Sequence, residues 1–258
     1  MKTYIKIFIL LAVQSAALTG CKQTARDLQP GILLSFDDRN MLHWEKQIPL
    51  FAKYDAHVTF FIHRFDELTE EELTAVHNLK NAGHTIGCHG LRHLKAAEYS
   101  EKYSTSQYMS EEIFPAIKVM TEKGFPPSFF AYPSSNNNED TDRELLEYFR
   151  YIRTGCGIEG KMVNTERAFK KIADLRDKIR FDGMSFHPKS PADTLVIQIK
   201  DAMDRIKERG EIFAVYSHDL RNEGEEGPKH YITVDALEET LAYAQAHGIK
   251  FYSYDELP

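Results

Sequence analysis

The sequence predicts a single-domain α/β barrel, and three observations lead there. After residue 30, apolar and β-branched runs alternate with amphipathic stretches of helical period, the pattern of parallel strands joined by crossover helices. The strand-like runs number about eight, which suits a closed or nearly closed barrel better than an open sheet. The polar groups best suited to chemistry all follow the C-terminal end of such a run: Asp37-Asp38, His89 and His93, residues 133–138, and Ser217-His218-Asp219. In a (β/α) barrel that end is the catalytic face.

The elements follow in order. Gly31-Ile32-Leu33-Leu34-Ser35-Phe36 reads as a buried strand ending on Asp37-Asp38. Residues 44–54 place Trp44, Ile48, Phe51 and Ala52 on one helical face, and residues 57–62 are an aromatic and β-branched second strand. Thr69 with Glu72 forms a capping box, opening a helix through Leu73, Val76 and Leu79 that stops at Gly83. A third strand delivers Gly87-Cys88-His89-Gly90-Leu91-Arg92-His93. Residues 96–123 are largely helical with Pro115 as a kink or break, and Gly124-Phe125-Pro126-Pro127 ends them. A strand at 128–132 runs into Pro133 and a polar loop. A helix at 142–148 and a strand at 150–154 follow, while residues 155–181 carry no clear pattern. A strand at 182–186, a helix at 193–209, a strand at 212–216, a helix at 233–247 closed by Gly248, and a strand at 250–254 complete the chain. No repeat or low-complexity tract divides residues 30–258.

The composition, 42% hydrophobic and 28% charged over 258 residues, suits a soluble domain with a full core. The N-terminus is different. Lys2 and Lys6 precede an apolar run at residues 7–13, too short to span a bilayer and shaped like a secretory signal. It ends in Leu18-Thr19-Gly20-Cys21, which resembles the lipobox of bacterial lipoproteins. That resemblance implies a signal peptide over residues 1–20, lipidation of Cys21, a tether over residues 21–29, and attachment to a membrane of the cell envelope by lipid alone. Losing residues 1–20 removes Lys2 and Lys6 and no acid, moving the formal charge from −7 to −9. So acidic a chain argues against nucleic acid as a partner. Cys88 and Cys156 then remain, and either a disulfide or two buried thiols is compatible with their positions.

Two features point to a metal. His89 and His93, four residues apart, can converge on one ion if the backbone makes about one helical turn. The adjacent carboxylates Asp37 and Asp38 repel each other at a poorly solvated strand end, a conflict that a divalent cation resolves. His43, His57, His63, His84, His187 and His230 read as surface or core residues rather than ligands, with His187-Pro188 on a rim.

Ser35-Phe36-Asp37-Asp38, His89-x-x-x-His93, Tyr132-Pro133 and Tyr216-Ser217-His218 resemble, in order, the motifs of the polysaccharide deacetylases, carbohydrate esterase family four. The resemblance implies a distorted (β/α)7 barrel over residues 30–258 and a divalent metal, usually zinc, on Asp38, His89 and His93. It implies Asp37 as general base, His218 as general acid, and Tyr132 and Pro133 as substrate contacts. The implied activity removes N-acetyl groups from acetylated glycan. An O-acetyl esterase of the acetyl-xylan type, a glycan-binding lipoprotein and a small-amide hydrolase on the same fold stand as alternatives.

Three departures from the family pattern carry expectations. Gly90 stands where many members have Ser or Thr bracing the metal loop, so that support must come from elsewhere. Ala131 stands where many carry an Arg that orients the base, in a Phe-Ala-Tyr-Pro sequence resembling the branch acting on poly-N-acetylglucosamine; Asp37 is then expected to be oriented by the metal's surroundings alone. The Asp-and-Trp motif that tunes the acid His has no match, which leaves Asp182 and Asp219 as candidate supports for His218, with Trp44 far off in sequence.

Lipidation predicts that Cys21→Ser moves the protein from the membrane to the soluble or precursor fraction. Membrane fractionation with intact-mass measurement checks this, and an unchanged mature mass and membrane fraction would exclude it.

Overall fold

A computed structural model describes residues 28–156, 158–159, 162–163, 165–187, 192–225 and 230–258. The signal segment, Cys21, most of the tether and Pro188 lie outside the described residues.

Eight parallel strands, numbered in chain order, form the framework: β1 Gly31–Asp38, β2 Thr59–Ile62, β3 Thr85–Cys88, β4 Phe129–Ala131, β5 Tyr151–Gly155, β6 Ile179–Ser185, β7 Glu211–Ser217 and β8 Lys250–Tyr252. The first seven pair sequentially, and β7 returns to β1 with Gly31 opposite Ile212 and Phe36 opposite Ser217, closing the predicted (β/α)7 barrel. The eighth strand is a wedge. It pairs with Gly31 to Leu33 of β1, whereas β2 pairs only with Ser35 to Asp38. A second irregularity lies between β6 and β7, which share two paired positions; the lower part of β7 is covered by the antiparallel strand Phe169–Lys171. That strand, with short 3₁₀ turns and the hairpin Ile158–Glu159 with Met162–Val163, makes up the stretch without a sequence pattern. Elements of two to four residues are too short to show a period.

Side-chain alternation decides which residues reach the site. Ile32, Leu34 and Phe36 pack outward with Trp44, Phe51 and Phe60, whereas Leu33 points inward with Phe61, Tyr151, Phe181 and Ala214. The period of two therefore carries Ser35 and Asp37 into the barrel from β1, and Arg153 follows Tyr151 inward on β5. Tyr254, just past β8, fills the interior with ring centroids 5.4 Å from Phe181 and 5.6 Å from Phe61.

The helices match the sequence reading with two corrections. The expected helix at 44–54 is two helices, Met41–Glu45 and Ile48–Lys53, because Pro49 suits only a first turn. Residues 96–123 comprise Ala96–Lys102, Thr105–Tyr108, a π turn at Met109–Ile113 and Phe114–Glu122, with Pro115 opening the last helix instead of kinking it. The Thr69–Glu72 capping box is present, as is the Thr233 cap that opens Val234–Ala246. Cys88 and Cys156 are free thiols. Among the described residues no helix is long and apolar enough to cross a membrane.

Truncating the interior plug should be costly. Tyr254→Ala is expected to lower stability by about 3–5 kcal/mol, as for other large aromatic deletions in cores, measured by urea unfolding.

Candidate active site

At the C-terminal ends of the strands lies a cleft of about 390 Å³ whose walls include Asp37, Asp38, His89, His93, Tyr132, Tyr216 and His218. Neighbours in sequence, Asp37 and Asp38 face different surroundings. Asp37 points into the barrel and is 2% exposed. Asp38, at φ +83°, turns toward the histidines.

Asp38, His89 and His93 offer three donor atoms that all lie within 4.8 Å of one another. Asp38 Oδ1 is 3.6 Å from His89 Nε2 and 3.4 Å from His93 Nε2. Ligands about 2.0–2.1 Å from a tetrahedral ion are separated by about 3.3 Å, so the donor set fits a divalent metal such as zinc. The outer nitrogen of His89 supports this: Nδ1 lies 2.8 Å from the Ala131 carbonyl and donates to it, which leaves Nε2 unprotonated and aimed at the donor cluster. Burial alone would raise the Asp38 carboxyl, but the adjoining His89 and His93 rings hold it well below the usual carboxylate range. His63, after β2, brings Nε2 to 3.7 Å from the same Asp38 oxygen. Burial and the neighbouring His89 and His93 push its pKa down to about 3, so it is a neutral imidazole beside the cluster.

The missing brace beside Gly90 is Glu112. This carboxylate, 0% exposed, accepts the backbone N–H of Arg92 at 2.9 Å and of Leu94 at 3.1 Å, tying down the loop that carries His93. Burial raises its pKa against the lowering effect of those N–H groups. Gly90 has φ +85°, and a Cβ there would stand 2.4 Å from Glu112 Oε1. Glycine and buried glutamate are thus one device: a Ser or Thr at position 90 would occupy the space the carboxylate fills. The π turn that contains Glu112 adds a residue to the helix where its side chain must meet the loop. Strain is concentrated on this face, since Asp38, His93, Ser134 and Ser135 all have positive φ and all line the cleft.

The expectation that Asp37 lacks an arginine is corrected. Arg153 Nη2 donates to both carboxylate oxygens of Asp37 in a pair with neither residue more than 2% exposed. In the β4–β5 register Arg153 is directly opposite Ala131, so the arginine has moved one strand over at the same level of the barrel. Its guanidinium carbon lies 4.3 Å from the Tyr216 ring centre and 5.5 Å from that of Phe61.

His218 lies across the cleft, with Nε2 3.8 Å from Asp38 Oδ2. Burial pushes its pKa down, opposed by Asp37 and Asp38. The two aspartates expected to support it face elsewhere: Asp182 pairs with Arg167 and Arg180, and Asp219 with His43 and Arg221. Trp44, distant in sequence, is adjacent in space and donates from Nε1 to the His218 carbonyl at 2.7 Å. His187, expected on a rim, and His230, read as a surface or core residue, both line the cleft. Tyr132 is among the lining residues but is 1% exposed, and its hydroxyl donates to Asp142 at 2.8 Å. Pro133 is buried and opens the 3₁₀ turn Pro133–Ser135.

Replacing Glu112 by Gln keeps the shape but turns one acceptor into a donor facing backbone N–H groups. Zinc affinity, measured by competition with a chromophoric chelator, should fall about 10–100-fold, as for other outer partners of metal ligands, with the far-ultraviolet circular dichroism unchanged.

Comparisons with known proteins agree with this fold. Similar solved structures include a family-four carbohydrate esterase from Streptococcus mutans, with a TM-score of 0.57, 15% identity and 89% of each chain covered. The catalytic domain of a peptidoglycan N-acetylglucosamine deacetylase from Eubacterium rectale has a TM-score of 0.56 at 16% identity over 88% of this chain and 89% of that one. A family 4 acetyl xylan esterase from Clostridium thermocellum, in complex with a cobalt ion, has a TM-score of 0.57 at 16% identity, again over 88% and 89%. At such identities the likeness is one of fold. No curated protein matches the sequence. Residues 25–151 of the sequence match the family model of the polysaccharide deacetylases.

Proposed function

We propose that this protein is a metal-dependent hydrolase that removes N-acetyl groups from N-acetylhexosamine units of a polysaccharide, and that Cys21 holds it by lipid at the cell envelope. The observation that carries the enzymatic part is the pairing of Asp37 with Arg153 beside the Asp38-His89-His93 donors, with His218 across the cleft. A pure glycan binder has no use for both a clamped base and an acid. Membrane attachment rests on the sequence of the N-terminus.

When bound, a divalent ion supplies Lewis acidity, polarising the acetyl carbonyl and making water easier to deprotonate. The chain's own groups do the rest. Asp37, held by Arg153 through both oxygens, takes a proton from water as its oxygen adds to the carbonyl carbon. His218 gives the proton on Nε2 to the amide nitrogen as the C–N bond breaks, so that acetate and a free amine leave. Tyr132 lines the cleft at 1% exposure and Pro133 is buried beside it, so the contact they can make with the sugar is slight.

The test is acetate release, with and without added zinc, from N-acetylglucosamine oligomers, peptidoglycan and acetylated xylan. The N-acetylated substrates should be cleaved, and Asp37→Asn should retain metal while losing about two to four orders of magnitude in rate, the contribution of a positioned base. Release from xylan alone would make the protein an O-acetyl esterase. No release from any substrate by fully metallated protein would make it a glycan-binding lipoprotein.

A further inference from the structure

We infer that His187 is the positioning residue of the catalytic acid: its Nε2 accepts the Nδ1 proton of His218, so an imidazole does here what a carboxylate does in the usual Asp-and-Trp arrangement. The inference rests on the assignment of His218 as general acid. The two rings meet at 2.9 Å, His187 Nε2 to His218 Nδ1, with centroids 4.9 Å apart. The other nitrogen of His218, Nε2, is the one aimed across the cleft toward Asp38.

An acid of this kind must keep a proton on Nδ1 throughout and exchange the one on Nε2. With His187 Nε2 as acceptor, His187 carries its own proton on Nδ1, and His218 retains its Nδ1 proton before and after it protonates the leaving amine. Proton balance is complete at two atoms: Nε2 of His218 loses what the amine gains. The ring that acts is therefore doubly protonated before the step and carries its proton on Nδ1 after it, and an acceptor at Nδ1 excludes the alternative neutral tautomer with Nδ1 bare.

The surroundings make this contact a fixed one. His187 is 7% exposed and presents its ring edge-on to Tyr216 at 5.8 Å and to His230 at 5.0 Å. Phe186 N–H donates to the Tyr216 carbonyl at 2.7 Å, locking the chain one residue before His187 to the chain two residues before His218. Trp44 holds the His218 carbonyl. Asp182 and Asp219 are committed to arginines, as described above, so the ring's partner is the imidazole.

His187→Leu and His187→Gln separate the possibilities, because the Gln Oε1 can stand where Nε2 accepts and Leu cannot. With chitopentaose as substrate, His187→Leu should lower kcat about 10–100-fold, the usual effect of losing such a partner, with KM nearly unchanged. On 4-nitrophenyl acetate, whose leaving group needs little protonation, the loss should stay within about threefold. His187→Gln should recover most of the chitopentaose rate, and zinc content should equal that of wild type in both. Full chitopentaose activity in His187→Leu, or equal losses on both substrates unrelieved by Gln, would overturn the inference. His218→Ala identifies which assignment fails. If it loses chitopentaose activity while His187→Leu does not, His187 alone is misassigned; if His218→Ala remains active, the acid lies elsewhere and both assignments fall.

Discussion

The buried pair of Asp37 and Arg153 is the constraint on which the site depends. Neither group can be left alone in the barrel interior, since breaking one half of a buried ion pair costs about 3–5 kcal/mol. Each is delivered by strand periodicity, Asp37 from β1 and Arg153 from β5, so the pair forms only if the barrel closes in register. The space around it is equally specified. A Cβ on Gly183 would stand 3.0 Å from the Tyr216 ring and 3.3 Å from Arg153 Cδ, and glycine there lets the aromatic ring lie against the guanidinium. The same contact that stabilises the interior therefore orients the proposed base.

From that fixed point the second carboxylate gains its role by contrast. Asp38 follows Asp37 directly, yet its left-handed backbone turns it out of the barrel toward His89 and His93. Two like charges in adjacent positions are thereby divided between a cationic partner below and a cluster of metal donors above. The loop carrying His93 is held in its own left-handed conformation by Glu112, whose acceptors take backbone N–H groups that no secondary structure would satisfy. Gly90 is the other half of that arrangement. Strain at the mouth is tolerated because buried polar groups beneath it determine the backbone around it.

The far wall of the cleft is built from imidazole. His187, His218 and His230 lie with ring centroids 4.9–5.3 Å apart, and the indole of Trp44 fixes the backbone behind them. Imidazole rings next to a charged donor cluster add hydrogen-bonding groups without adding negative charge. Asp37 and His218 thus reach the cleft from β1 and from the end of β7, as suits a reaction that needs both a base and an acid.

What the sequence determined alone was everything local. The apolar runs, the Thr69 capping box and the placement of Asp37, Asp38, His89, His93 and His218 at strand ends were legible because each depends on residues within a few positions of one another. A closed barrel followed from about eight strand-like runs and from the face on which the polar groups fall, whereas the count of seven came from the family resemblance. The partners of those residues were not legible. Arg153 is 116 positions from Asp37, Glu112 is 20 from Arg92 and His187 is 31 from His218, and Ala131 and Gly90 give no sign of where the groups that brace the site lie. Strand register and helix docking decide those meetings. A side chain's own neighbourhood in sequence sets which way it points, whereas the group it points at is chosen by the closed barrel.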